Sequence, residues 1–331
     1  MGQSIVRLAL DTPGLKVVGA VDVSPDKAGK DLGTILGLSK KLRLKVFGDL
    51  KKALRKAKAD VAVLSTGSAL RDVKPQLAAL LKKGLHVVST CEELSFPAPA
   101  RAGSFRELDA LARRKKVSVL GTGVNPGYAM DALALFLTAP CARVNRVAVT
   151  RVVDAATRRL PLQRKVGAGL NVAQFRRAIT EGSVRHVGLP ESVHMIAAGL
   201  GWKLDRVDET LEPAIAPRDL DTEYLRVPAG NAAGIKQSAR GFRKDELLVS
   251  LDLQMYVGAE QPRDHVLIDG VPPIEMTIAG GIAGDMATAA IAVNAIPKLL
   301  AARPGVVTMR DIPLVHAFSP LEVKSLPPKR K

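Results

Sequence analysis

The chain has 331 residues, 47% hydrophobic and 24% charged, which is ordinary globular usage and enough material for about two domains. Aromatics make up only 3%, with one Trp and three Tyr, which excludes a stacking platform for single strands or sugars. The two cysteines, Cys91 and Cys141, exclude a disulfide scaffold and point to a reduced, cytoplasmic protein. No apolar run approaches the roughly 20 residues of a membrane span, and the N-terminus has no signal-peptide layout.

The net charge is +17, from 49 basic and 32 acidic residues. The densest cluster, residues 40–58, holds nine Lys or Arg against Asp49 alone. Within it Leu50, Ala53, Leu54 and Ala57 fall at helical spacing, which leaves the cations on the solvent face of an amphipathic helix. Residues 113–116 end a second helix, where cations suit the negative end of the dipole. A third cluster, residues 327–331, is expected to be a disordered tail. These placements favour a solvated basic surface over a polyanion site, so neither nucleic acid nor membrane is expected as a partner.

In chain order, residues 5–10 form a helix that ends near Pro13-Gly14, and residues 16–21 form an apolar run of the kind found in buried parallel strands. A helix from Asp49 leads to a strand at 61–64, a helix at 73–83 to a strand at 86–89, and a helix at 105–114 to a strand at 117–120. Strands alternating with helices of this length give βαβ units and a doubly wound parallel sheet. After Gly121 the pattern changes. Strand candidates at 143–153, 247–256, 264–268 and 273–278 surround helices at 172–180 and 190–200, the layout of an α+β domain. A glycine-rich break at 280–284 precedes one long apolar helix at 286–300. The expected organisation is an α/β domain at 1–125, completed by 286–331, and an α+β domain for substrate and oligomerisation at 126–285.

A doubly wound nucleotide domain opens with a strand and then G-x-G-x-x-G. This sequence goes from Met1 directly through Gly2 and Gln3 into the helix, with Gly2 in the place of the third glycine. Asp22 lies 20 residues further on, where an acidic residue meets the adenosine ribose and disfavours a 2′-phosphate. The bland alternatives are a frayed terminus for Gly2 and a turn residue for Asp22. The first strand and first two glycines are absent from the sequence, and a start assigned too late is the expectation preferred over a crippled cofactor site.

Three loops follow strands at their carboxyl ends and can converge on one cleft: Ser65-Thr66-Gly67-Ser68, the segment from Thr90-Cys91-Glu92-Glu93 to Pro97, and the segment from Gly121-Thr122 through Asn125-Pro126-Gly127 to Tyr128. A carboxylate entering such a cleft can act as acid or base or pair with an ammonium. Glu92 and Glu93 are adjacent on an extended segment, so one of them faces the site, and the sequence leaves open which. The five histidines are dispersed without metal-ligand spacing, no C-x-x-C is present, and Cys91 as a nucleophile has no identifiable histidine partner.

Five segments in order, at residues 91–97 (CEELSFP), 121–131, 151–170, 188–192 (GLPES) and 280–297, resemble the family that joins a dihydrodipicolinate-reductase-like nucleotide domain to a 2,4-diaminopentanoate dehydrogenase C-terminal domain, a family that includes native amine dehydrogenases. The resemblance implies NAD(P)-dependent oxidative deamination of an amine or diamino acid, or the reverse reductive amination of a ketone with ammonia. A glutamate in the cleft, Glu92 or Glu93, would bind the amine nitrogen and handle its proton. It also implies that Thr122, Asn125 and Tyr128 line the nicotinamide–substrate junction, with Arg151, Arg158 and Arg159 close to the substrate, and that the protein is a homodimer. Gly2, Gln3, Asp22, Ser65, Thr66, Gly67 and Thr90 complete the expected cofactor contacts, Asp22 tilting the choice toward NAD while Lys27 and Lys30 leave NADP open. Two competing readings remain: a reductase of a cyclic imine or carbonyl on the same fold, and a non-catalytic basic binding protein.

Overall fold

The computed structural model describes residues 1–56 and 58–318. The nucleotide half contains α1 (Gly2–Asp11), β1 (Ala20–Val21), α2 (Leu32–Ile35), β2 (Val46–Phe47), α3 (Leu50–Lys56), β3 (Val61–Leu64), α4 (Leu70–Lys82), β4 (His86–Ser89), α5 (Ala102–Lys115) and β5 (Ser118–Gly121). The second half contains α6 (Ala132–Leu137), β6 (Arg143–Asp154), α7 (Leu160–Lys165), α8 (Val172–Thr180), α9 (Leu189–Gly199) and β7 (Arg206–Ile215). A small ribbon follows, β8 (Leu220–Asp221) and β9 (Arg226–Val227), then β10 (Ala232–Arg243), β11 (Glu246–Tyr256), β12 (Arg263–Val271) and β13 (Ile274–Ala279). The chain ends with α10 (Gly284–Asn294), α11 (Ile296–Leu300) and β14 (Gly305–Val307).

The parallel sheet runs β14-β5-β4-β3, and β1 pairs in parallel with β2 in a separate two-stranded unit. The strand expected over 16–21 is therefore a two-residue ladder, because residues 16–19 have no paired neighbour. Among the described residues no strand joins β1 to β3. Instead α1 bridges the two units. Its Val6 and Leu10 pack on Leu32, Leu36 and Val46, while Ile5 packs with Ala289 and Val293 of α10. β14, which the sequence pattern missed, pairs Val306 with Val119. Thus α10, α11 and β14 return from the second half to the first sheet.

The expected helix at 286–300 is two helices. Pro297 has no N–H to give the carbonyl four residues back, so the ladder stops at α10 and restarts with Pro297 near the first turn of α11. The basic α3 buries Ala53 and leaves Lys51, Lys52, Arg55 and Lys56 exposed, a solvated face; Ala57 and the tail at 327–331 lie outside the described residues. No helix among the described residues is long and apolar enough to cross a membrane.

The second half is built on a six-stranded mixed sheet in the order β13-β12-β6-β11-β10-β7. Alternation along β11 and β12 puts Val249, Leu251, Leu253, Val266 and Ile268 on one buried face, against α9 and α8. α8 starts with a reciprocal capping box between Asn171 and Gln174, so its first orphan N–H groups are satisfied locally. β7 and β10 went unread in the sequence. β7 is an edge strand that carries Pro213 and charges on both faces, an edge-strand pattern that weakens periodicity.

Candidate active site

The carboxyl ends of β3, β4 and β5 open on a cavity of about 380 Å³ between the two halves. Ser65, Thr66 and Gly67 line it after β3, Thr90 and Glu92 after β4, and Thr122 and Asn125 after β5. Parallel strands that end on one edge put their following loops side by side, which is why three segments separated in sequence meet. The opposite wall comes from the second half: Arg151 on β6, Arg158, Lys165 at the end of α7, and Arg185-His186 before α9. The first turn of α10 closes the floor with Asp285 and Thr288, and the Thr288 hydroxyl accepts the Val124 N–H at 3.2 Å.

The short turn Glu92–Leu94 separates the two glutamates. Glu92 lines the cavity, accepts the Ser68 hydroxyl at 3.1 Å, and has Lys165 Nζ at 3.7 Å. Glu93 points away. Its Oε1 accepts Arg101 at 2.5 Å and its Oε2 accepts the Leu70 N–H that opens α4, at 2.8 Å. Burial raises the Glu93 carboxyl, but the Arg101 hydrogen bond and the Leu70 N–H outweigh it and hold the group below the usual carboxylate range.

At β5 the chain turns through Asn125-Pro126-Gly127. Gly127 has φ of +121°, and a Cβ there would lie 2.6 Å from the Gly123 nitrogen, so the turn requires glycine. The buried Asp131 carboxylate accepts the Gly127 N–H at 2.8 Å and fixes the turn. Thr122 Oγ1 and Asn125 Oδ1 are left buried with no hydrogen-bond partner, as are Arg158 Nε and His186 Nδ1. All four residues line the same cavity. Buried polar atoms are nearly always satisfied, so this concentration marks a place prepared for a polar ligand.

Two anchors shape the far wall. Arg151 and Asp264 form a buried ion pair at 2.5 Å, and both grip Ile282: Arg151 donates to its carbonyl at 2.6 Å and Asp264 accepts its N–H at 2.7 Å. Arg158 and Arg159 approach Asp285 at 3.3 and 3.4 Å. Gln237 holds the backbone of His186 from both sides, accepting its N–H at 2.9 Å and donating to its carbonyl at 2.7 Å. Burial, then the neighbouring Lys165, Arg151 and Arg185, push the His186 ring down to about 3, so it is neutral at physiological pH.

Among the residues expected from sequence, Ser65, Thr66, Gly67, Thr90, Thr122 and Asn125 line the cavity, and so do Glu92, Arg151 and Arg158. Glu93 serves Arg101 and α4 instead. Tyr128 does not reach the cavity but packs against Val124, Ala129 and Ile291, because the turn at Gly127 aims it into that small core. Gly2 lies beside Ser65, whose Oγ would be 3.4 Å from a Cβ there, while Gln3 is exposed. Asp22 directly follows β1, where it accepts the Ser24 N–H at 3.0 Å and pairs with Lys27 at 2.7 Å. The Lys27 and Ser24 hydrogen bonds hold its carboxyl below the usual range. Lys165, Arg185 and His186 were not anticipated; nothing local marks them, and only the approach of the second half brings them to the cleft.

The orphaned Thr122 and Asn125 groups at the carboxyl end of β5 suit a polar ligand in the cleft, the place where doubly wound sheets take a dinucleotide. Fold and site together define a dehydrogenase with a dinucleotide-binding domain and a second, C-terminal domain across the cleft. Residues 1–91 match the family described as dihydrodipicolinate reductase, N-terminus, and residues 128–325 match the 2,4-diaminopentanoate dehydrogenase C-terminal domain. The chain belongs to the 2,4-diaminopentanoate dehydrogenase family. It is 33% identical to the 2,4-diaminopentanoate dehydrogenase of Acetoanaerobium sticklandii, covering 96% of this chain and 92% of that one. It is 24% identical to an amine dehydrogenase of Streptomyces virginiae, over 97% and 96% of the two chains. Its fold is shared with the amine dehydrogenase of Mycobacterium smegmatis, TM-score 0.85 and 24% identity over 96% and 94% of the chains.

Proposed function

We propose that this dehydrogenase oxidises an amine that also carries a carboxylate, converting its CH–NH₃⁺ carbon to a carbonyl with water supplying the oxygen and ammonia leaving, and with Glu92 as the group that binds the ammonium and takes its proton. The observation that carries the reading is the position of Glu92, on the same cavity as the unpartnered Thr122 and Asn125 atoms and, among the described residues, with no cation closer than Lys165 at 3.7 Å. An alkylammonium must lose a proton before its α-carbon can release hydride, and a carboxylate both attracts the cation and accepts that proton. A nicotinamide dinucleotide, when bound, supplies the hydride acceptor. Ser65, Thr66, Gly67 and Thr90 are placed to hold it, with Thr122 and Asn125 at its reactive end.

The far wall supports a substrate carboxylate. Arg151, Arg158, Lys165 and Arg185 line the cavity against Glu92 and Asp285 alone, so the site favours an anion beside the ammonium. Arg151 is held by Asp264 at 2.5 Å, whereas Arg158, Lys165 and Arg185 have, among the described residues, carboxylates no nearer than 3.3 Å, so these three are the more available to receive that anion. The relative from Acetoanaerobium sticklandii, named for 2,4-diaminopentanoate, fits this pattern of charge. The position of Asp22, directly after β1 and 20 residues after Gly2, supports NAD, since a carboxylate there disfavours a 2′-phosphate, while Lys27 beside it keeps NADP open.

A homodimer is the assembly we favour, through the sheet face turned away from α9, where Thr277, His265, Thr150, Asp252, Ser238 and Thr210 form a continuous row of register partners. The functional reading is tested by comparing turnover of 2,4-diaminopentanoate with that of a simple alkylamine, in wild type and in Lys165→Met. The carboxylate-bearing amine should be preferred by wild type, and the variant should lose that preference. Equal turnover of both amines by wild type refutes the carboxylate site.

A further inference from the structure

The segment Gly188-Leu189-Pro190-Glu191-Ser192, which opens α9, contributes nothing to the cavity lining. It nevertheless meets both loops that carry the site. Glu191, whose side chain is 2% exposed, takes Arg101 Nη1 at 2.5 Å, and the other nitrogen of that guanidinium holds Glu93 at 2.5 Å. Glu93 is the neighbour of Glu92, and both are fastened to Ser68: the Glu93 N–H donates to its carbonyl at 3.2 Å and its hydroxyl donates to Glu92 at 3.1 Å. The next residue, Ser192, donates to Asp131 Oδ2 at 2.7 Å, the same oxygen that accepts the Gly127 N–H. Gly188 has φ of +115°, and a Cβ there would lie 2.5 Å from Pro126 Cδ, so the start of α9 sits directly on the Asn125 turn.

A carboxylate–guanidinium–carboxylate bridge with one fully buried and two partly buried members is a poor source of stability, because desolvation offsets much of the attraction and solvent screens the rest. What it supplies is geometry. We propose that Glu191 is a positioning residue: through Arg101 and Glu93 it sets the Glu92 carboxylate, so the catalytic glutamate is aligned only when α9 of the second half is seated on the first. Ser192 does the same for the Asn125 turn through Asp131. This rests on the reading of Glu92 as the amine-handling group. Misplacement of about 1 Å is enough to cost a reaction about a hundredfold.

The test is a double-mutant cycle on the full chain, with 2,4-diaminopentanoate and NAD as the probes. Glu191→Gln keeps the shape and removes the charge. It should lower kcat about 10- to 100-fold while leaving the KM for NAD unchanged. In the Glu92→Gln background the same substitution should change the residual rate less than about twofold, because a residue that acts through Glu92 has nothing left to position. Arg101→Lys, which keeps the charge balance but cannot span two carboxylates, should fall between wild type and Glu191→Gln. A wild-type kcat in Glu191→Gln, or an equal fold loss in both backgrounds, overturns the clamp alone. A wild-type kcat in Glu92→Gln overturns the reading of Glu92 and the clamp with it.

Discussion

The ion pair between Arg151 and Asp264 joins the wall of the cavity to the loop that starts α10, and its removal has a magnitude that follows from the contacts. Both side chains are at most 3% exposed, and the four groups close a ring: guanidinium to carboxylate, carboxylate to the Ile282 N–H, guanidinium to the Ile282 carbonyl. Asp264→Ala leaves an unpaired buried guanidinium and an unpaired N–H, which together should cost about 3–5 kcal/mol of folding stability. Replacing both partners by apolar residues, as in Arg151→Met with Asp264→Leu, removes the desolvation as well as the attraction; it leaves only the Ile282 N–H and carbonyl without partners and should cost about 1–3 kcal/mol. Urea unfolding followed by circular dichroism reads both. The double variant should still lose amine oxidation, since Arg151 faces the cavity and Ile282 is no longer held. The reasoning fails if the single variant unfolds at the wild-type midpoint, or if the double variant is less stable than the single one.

Three further outcomes are expected. Phe175 is fully buried under the Gly167 turn, so Phe175→Ala should lower unfolding free energy by about 3–5 kcal/mol without changing the Glu92 loop, read as a lower urea midpoint with normal KM values. His186 is neutral in the fold down to about pH 3, whereas an unfolded histidine takes up a proton near 6.5. The unfolded state therefore binds more protons in that window; the stabilisation is complete above pH 6.5 and falls on acidification by up to about 1.4 kcal/mol per pH unit, a slope that His186→Gln should flatten. Burial pushes the Cys91 thiol up to about 12, so iodoacetamide at neutral pH should label the half-buried Cys141 and spare Cys91, as peptide mapping would show.

Strands β3, β4 and β5 were legible because buried parallel strands are continuous apolar runs, and β4 falls at 86–89 as the run predicts, whereas the short β2 and β14 went unread. The convergence of the loops after β3, β4 and β5 was legible too, because parallel topology alone brings them to one edge. The choice between Glu92 and Glu93 was not, since it depends on Arg101, eight residues away in sequence from Glu93, and on Glu191 in the other half. Tyr128 looked like a cleft residue from its place after Asn125-Pro126-Gly127, yet the direction of a side chain beyond a turn is set by the turn's dihedrals and not by its sequence. Lys165, Arg185 and His186 carry no local signal, because what makes them part of the cavity is the docking of two halves far apart in the chain. The basic surface, in contrast, was readable from helical spacing alone, and α3 shows its cations outward.

The central claim is that Glu92 handles the proton of an amine substrate. It is tested most directly by following reduction of NAD and NADP with 2,4-diaminopentanoate in wild type, Glu92→Gln and Glu93→Gln. Wild type should reduce the cofactor, with ammonia released in equal amount. Glu92→Gln should lose about 10²- to 10⁴-fold in kcat, the range for removing a general base. Glu93→Gln, which weakens the link from Arg101 to the Glu92 turn but leaves the Glu92 carboxylate in place, should lose about 10-fold, less than Glu92→Gln. A wild-type rate in Glu92→Gln, or a greater loss in Glu93→Gln, contradicts the account.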